Sequence, residues 1–471
     1  MGQEIIESHF GHEAFSRFQQ RLEDETRLLT EWIADRHLSD RDYVAGLELE
    51  LCLVDATGQP VASNDRVIRA VNLPTVVPEL SKFNLEFNVE PVSPRGQGIQ
   101  RLADSLCESW ESCRAKAGSL GVSIVSIGIL PTLRDEHLNL DNMSALHRYR
   151  ALNEQVLRLR RGRPAHLDIS GTESLACEHL DVMLEAATTS LQLHLQVPQA
   201  RAADAYNLAM ILSAPMVAVA ANSPLLFGKR LWQETRIPLF EQSVAMHGPI
   251  NRVTFGTGYA TKDLSFLFRE NENVFPVLLP LDTPQKTEQV PTLRLHNGTI
   301  WRWNRPIVGF DQDGRPHLRI EHRVMAAGPS VIDMTSQMAF FYGLMIEYLS
   351  QERNDIGKHL PFLSAWSNFY DAARVGLNAN LLWLDGKKWP IHKLILDELV
   401  PAAERGLVLL QVDSSSINTW LQTIVERVAT GRTGAQWQSE FFIRNGRDSA
   451  ALVREYRSRQ ESGEPVHRWS Y

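Results

Sequence analysis

Cysteine is scarce in this chain. Cys52, Cys107, Cys113 and Cys177 are the only four in 471 residues, with no C-x-x-C pair and no flanking histidine pattern. That argues against a zinc site, and so few thiols suit a reducing compartment better than a disulfide scaffold. An excess of positive charge is missing too. With a formal net charge of −8 and a pI near 6.0, the surface is not built for nucleic acid or an anionic membrane. The first residues, MGQEIIESHF, lack the basic start and apolar core of a signal peptide, and Ile6 stands where a myristoylation motif wants Ser or Thr. The most apolar stretch, Leu208 to Ala221, is short for a bilayer span, and Pro215 is expected to break it. A soluble, cytoplasmic protein is the expectation.

The common catalytic signatures are absent as well. There is no G-x-x-x-x-G-K-[ST] loop and no G-x-G-x-x-G after a strand, which removes the usual nucleotide cradles. No G-x-S-x-G elbow and no H-E-x-x-H helix occurs. If ATP binds, it binds through metal-bridged carboxylates and arginines on a sheet.

What is present is ordinary in bulk: 44% hydrophobic and 22% charged residues, as in a globular protein. The length exceeds what one core usually fills. Helical periodicity runs through Phe15 to Arg36, Arg101 to Gly121 and Ala203 to Pro224, and NGTIWRWNRPIVGFDQDGRPHLRIEHRV reads as a hairpin turning at DQDG. Beyond Ser330 the patterns are almost all helical. Residues 1–354 are expected to form a catalytic domain, with 355–471 a mostly helical C-terminal region packed on it.

Four alternating segments have unusual polar faces. GLELEL places Glu48 and Glu50 on one side, roughly 7 Å apart, and Leu47, Leu49 and Leu51 on the other. NLEFNVEP aligns Glu86, Asn88 and Glu90; LQLHLQV aligns Gln192, His194 and Gln196; RIEHR aligns Arg319, Glu321 and Arg323. No lysine or hydroxyl occupies these faces, although solvated strands commonly carry them. Glutamates with one histidine suit Mg²⁺ or Mn²⁺, and a carboxylate between two guanidinium groups suits a phosphate that bridges metal. The competing reading is a structural ion-pair network.

Together with ANSPLLFGKRLWQETR, GTIWRWNRP and RIEHRVMAAGPS, these segments resemble the glutamate–cysteine ligase type 2 family, carboxylate–amine ligases with a glutamine-synthetase-like catalytic fold. The resemblance implies an α+β fold: a curved antiparallel sheet forming a funnel with flanking helices. ATP would enter at one end and the carboxylate substrate at the other, with divalent metals between. It implies that Glu48, His194 and Glu321 hold the metal bridging the ATP phosphates, and that Glu50 and Glu86, with Glu90 beside them, hold a second. Arg323, Arg319 and Arg305 would grip the phosphoryl group. Arg148, Asn304 and Arg305 would face the substrate, although Arg148 and Arg150 in HRYRALN suit a solvated helix equally well.

The implied reaction is amide formation through an acyl phosphate, with the glutamate γ-carboxylate and cysteine as substrates, in glutathione biosynthesis. Its partners would be small molecules, with no nucleic acid or membrane; homo-oligomerisation stays open. An ATP:guanidino phosphotransferase and a non-catalytic nucleotide-binding scaffold are the alternatives. Asn222 and Ser223 are expected to cap or turn the chain, Glu234 and Arg236 to form an ion pair, and Trp301, Trp303 and His322 to pack.

Overall fold

Alternation decides the sheet. In the computed structural model, which describes residues 10–246, 251–282, 285–351 and 356–471, each of the four alternating segments lies in a strand of one antiparallel sheet. The expectations about Gly2 to Ile6 and about a boundary between 354 and 355 lie outside the described residues. The strands are β1 (Val44–Val54), β2 (Val76–Pro78), β3 (Asn84–Val92), β4 (Ser123–Val125), β5 (Ser190–Val197), β6 (Asn304–Phe310) and β7 (Pro316–Ala326). Their order is β6-β7-β5-β1-β3-β2, with β4 pairing the end of β1. The sheet curls into a half-barrel, and the fold is α+β.

The apolar positions of these strands, Leu47, Leu49, Leu51, Phe87, Leu193 and Ile320 among them, are fully buried. Long helices supply the other side of that layer: Gly98–Ser119 against β3, and Ala202–Ala220 against β7. Tyr342, on the Val331–Ser350 helix, donates its hydroxyl to Gly46 O at 2.8 Å. The opposite, polar face is therefore free to line a cleft. Both faces of β5 are buried along its whole length, so its glutamines and histidine are not a solvated edge.

Pro215 does not break its helix. Ala202–Ala220 is continuous with Pro215 inside it, because nearly every residue around the turn is buried and tertiary packing outweighs one missing backbone hydrogen bond. With its preceding turn from Gln199, this is among the described residues the one segment long and apolar enough to cross a membrane, and it is almost wholly packed inside the protein.

The C-terminal helices fasten to this core through close packing and buried polar bonds. Arg427 pairs with Asp333 where both side chains are buried, and Val466 N donates to the same carboxylate at 3.0 Å. Asn222 goes beyond a turn: its side chain donates to Ala327 O and Tyr456 Oη and accepts from Gln438 Nε2. The Val400–Leu409 helix crosses Val331–Ser350 at Gly406 and Gly343, where a methyl group on Gly406 would overlap Gly343 O. Gly406→Ala should therefore cost about 1–3 kcal/mol by overpacking, read as a lower urea midpoint with an unchanged slope. An unaltered midpoint would show that the crossing has slack.

Candidate active site

Strand register assembles the polar face. Glu50 sits opposite Glu86, Glu321 opposite His194, and Arg305 opposite Glu321. Two groups of candidate metal ligands result among the described residues: Glu48, His194 and Glu321, and Glu50, Glu79 and Glu86. Within each, the ligand atoms lie within 4.8 Å of one another. The first trio draws on β1, β5 and β7. The second draws on β1, β3 and the loop after β2.

The two trios differ in charge balance. In the first, His194 Nε2 lies 3.3 Å from Glu48 Oε1 and 3.8 Å from Glu321 Oε1. Arg305 grips Glu321 with both arms, Nε to Oε2 at 2.7 Å and a terminal nitrogen to Oε1 at 2.9 Å. Arg323 adds a third donor at 3.2 Å and also donates to Gln192 Oε1. Burial pushes the Glu321 carboxyl up, but Arg305, Arg323 and His194 outweigh it and hold the group well below its usual range. Glu48 behaves alike: burial is offset chiefly by His194, and the carboxyl stays low.

In the second trio the compensating charges do not outweigh burial. Burial, then the charge of Glu79, raises Glu50 to about 7, with Arg323 and Arg236 opposing. Burial together with Glu48, Glu79 and Glu50 pushes Glu86 well up, and burial raises Glu79. Local hydrogen bonds restrain each group: Ser190 N at 2.7 Å and Gln192 Nε2 at 2.9 Å to Glu50, Asn88 Nδ2 at 2.8 Å to Glu86, and Leu80 N at 3.0 Å to Glu79. Buried Glu86 and half-buried Glu50 and Glu79, with no ion pair to a cation among the described residues, form an all-oxygen donor set for a hard divalent ion. The first trio, with its imidazole, suits Mn²⁺ as well as Mg²⁺. Among the described residues buried Glu48 Oε2 lacks a hydrogen-bond partner, as an atom facing a metal would.

The remaining expectations divide. Arg319 lies on the same face, its Nε 3.3 Å from His194 Nδ1. Arg148 is half-buried, donates to Tyr149 Oη at 2.9 Å and lowers the Glu79 carboxyl through its charge, while Arg150 is exposed. Asn304 is not a substrate-binding residue. It precedes Arg305 in β6 and so points to the helix side, donating to Ser213 Oγ at 2.9 Å and meeting His322 Nδ1 at 2.7 Å. Glu90 is exposed and belongs to neither trio. His322 stacks on Phe341 at 4.4 Å, away from the site. Trp303 is buried against Phe240 and Phe369.

Glu234 and Arg236 do pair, at 3.4 Å. Arg236 also donates to Arg323 O at 3.2 Å and to Val324 O, where the β7–β5 ladder bulges between His322 and Met325. It thereby positions the backbone of Arg323. Sequence reasoning missed Glu79 and Glu185. Glu79 lies outside any alternating run, seven positions before Glu86. Glu185 sits in a short turn before β5, its carboxyl raised by burial, Glu79 and Glu50.

Each carboxyl of the second trio titrates higher in the folded chain than in the unfolded one, so the folded state holds the extra protons. For Glu50 the stability this contributes is fully present below its ordinary value of 4.5 and is lost as pH rises through about 7, and Glu79 and Glu86 act in the same direction. Metal-free protein should lose melting temperature across that interval by more than the Glu50→Gln/Glu86→Gln double variant does. Mg²⁺ or Mn²⁺ should restore it at neutral pH and act little in acid. Melting curves with EDTA and with each cation check this; cation-independent melting at both pH values would remove the metal assignment.

Comparison with known proteins bears on this geometry. The sequence profile of glutamate-cysteine ligase family 2 matches residues 44–468. No curated protein sequence matches the chain. Among solved structures, a glutamate–cysteine ligase from Francisella tularensis in complex with AMP is similar in fold at a TM-score of 0.52 and 12% identity, covering 92% of this chain and 96% of its own. A bifunctional glutathione synthetase from Pasteurella multocida is similar at a TM-score of 0.51 and 12% identity, covering 92% of this chain and 55% of its own. With that profile spanning nearly the whole sequence and both carboxylate trios inside it, the chain belongs to glutamate-cysteine ligase family 2 and is an ATP-dependent carboxylate–amine ligase.

Proposed function

We propose that this ligase joins the γ-carboxylate of glutamate to the amine of cysteine through an acyl phosphate. The observation that carries the chemistry is the pair of neighbouring carboxylate-bearing trios, with Arg305 and Arg323 converging on Glu321 of the first. The choice of glutamate and cysteine is supported by the family and by the AMP-bound ligase of similar fold.

A carboxylate is a poor acyl donor because its leaving group would be oxide. In the proposed reaction its oxygen attacks the γ-phosphorus of ATP, the bond to the bridging oxygen breaks, and ADP departs. The amine nitrogen then attacks the acyl carbon, and phosphate leaves carrying an oxygen from the carboxylate. Glu48, His194 and Glu321 would hold one divalent ion, and Glu50, Glu79 and Glu86 another; such ions neutralise phosphate charge and act as Lewis acids.

The chain's own groups do the rest. Arg323, whose buried Nε has no hydrogen-bond partner among the described residues, offers a donor to the phosphoryl group in transfer. Arg305 holds Glu321 in place while presenting its own positive charge. Arg148, whose charge reaches Glu79, would receive the substrate carboxylate. The curled sheet and its covering helices keep out water that would hydrolyse the acyl phosphate. We place the reaction in the cytoplasm, where a cysteine substrate stays reduced; the chain's own four cysteines are free thiols, and burial raises Cys52 and Cys113 to about 12.

ADP release measured over a panel of carboxylate and amine pairs should be fastest with glutamate and cysteine. A different pair turning over faster would reassign the substrates while leaving the ligase chemistry. Arg323→Lys should lower kcat on the order of a hundredfold to a thousandfold, because lysine lacks the planar fork, while the KM for ATP moves little. With ¹⁸O in the substrate carboxylate, labelled oxygen should appear in the released phosphate. Label confined to the amide would rule out the acyl phosphate.

A further inference from the structure

Arg323 is held by contacts made outside its own ladder. Where the β7–β5 pairing lapses between His322 and Met325, the Arg323 amide donates to Trp303 O at 2.9 Å, and its carbonyl accepts from Arg236 at 3.2 Å. Both backbone polar groups of that residue are therefore taken, one by Trp303 just before β6 and one by Arg236 at the start of the Arg236–Ser243 helix. The two holders also touch each other. Arg236 Cζ lies 5.3 Å from the centroid of the Trp303 ring, within the range of a cation–π contact, while Arg236 Nε faces Glu234 at 3.4 Å.

Trp303 is itself tethered by a carboxyl. Glu241, in the last turn of the same helix, accepts from Trp303 Nε1 at 2.8 Å and from Tyr370 Oη at 2.5 Å, both on Oε1. Glu241 forms no ion pair among the described residues; burial raises its carboxyl to about 7, and the donors that oppose the rise are those two neutral groups. Phe240 and Phe369 bury the indole, with ring centroids at 5.8 and 5.9 Å. Such apolar contacts fill space around a ring, and the hydrogen bond from its N–H is what fixes its orientation.

We propose that Glu241 is a positioning residue for phosphoryl transfer: it fixes the Trp303 indole against Arg236, and that pair holds the Arg323 backbone where its guanidinium meets Glu321 and Gln192. A carboxylate on the indole N–H also makes the ring face more negative and so a better seat for a guanidinium. Tyr370 extends the chain of contacts to the Phe362–Val375 helix, which ties the C-terminal region to the same arginine. The inference rests on the reading that Arg323 serves the phosphoryl group in transfer.

Steady-state kinetics of the full-length enzyme, arranged as double-mutant cycles, test it. Glu241→Ala should lower kcat by about tenfold with the KM values for ATP and the carboxylate little changed. Glu241→Gln, which keeps the acceptor oxygen, should recover most of that loss. Trp303→Phe, which keeps a ring and loses the N–H, should match Glu241→Ala, and the two together should cost no more than either alone. In an Arg323→Lys background, Glu241→Ala should lower kcat no further. If Glu241→Ala melts far below the wild type, Trp303→Phe decides by the same criteria. Unchanged kcat, or a loss that multiplies fully with that of Arg323→Lys, overturns the inference and leaves the ligase reading intact. A near-normal kcat for Arg323→Lys alone overturns the role of Arg323 and this inference with it.

Discussion

The desolvation of the clustered carboxyls of Glu50, Glu79 and Glu86 is the constraint on which the rest of the molecule depends. Three carboxyls crowded into a largely desolvated cluster oppose folding as they ionise, and each is raised toward its protonated form. The fold must therefore be rigid enough to hold them without collapsing around the charge. The ladder that sets Glu50 opposite Glu86 supplies that rigidity, as do the backbone N–H groups of Ser190 and Leu80. The neighbouring trio solves the same problem differently, with guanidinium groups already in place around Glu321.

That contrast divides the labour along the cleft. At one end the protein brings its own cations, and the site remains charged and ordered whatever is bound. At the other it presents a charge deficit that only a ligand can fill. The C-terminal helices contribute stiffness from behind the sheet, through the Gly343–Gly406 crossing and the buried Asp333–Arg427 pair. A buried ion pair adds little net stability over an apolar pair, but removing one partner is costly, so such a pair fixes a geometry more than it strengthens it.

Most of the cleft was legible because strands impose a period of two. Alternation put Glu48 and Glu50 on one face and set Glu86, His194 and Glu321 on the polar faces of their own strands, and the family resemblance brought them to shared metal sites. The same rule, applied strictly, would have excluded Asn304, since Arg305 beside it must face the other way. Glu79 and Glu185 were not legible, because each enters from a loop whose path is set by packing and not by periodicity. Pro215 misled for a related reason: a propensity acts locally, and the surrounding burial of Ala202–Ala220 overrode it. The positioning role of Arg236 could not be read from QETR, because it depends on a bulge in a distant strand.

An open half-barrel must end twice, and each end is a row of backbone groups that another strand could join. Here both margins are blunted. The outer strand β6 carries Pro306, which has no N–H to offer, and the carbonyl of that residue is taken by Asn297 Nδ2 at 2.9 Å. The opposite margin, β2, is only three residues long and finishes at Pro78. Copies of this chain are thereby discouraged from adding strand to strand, whether as an ordered assembly or as an aggregate.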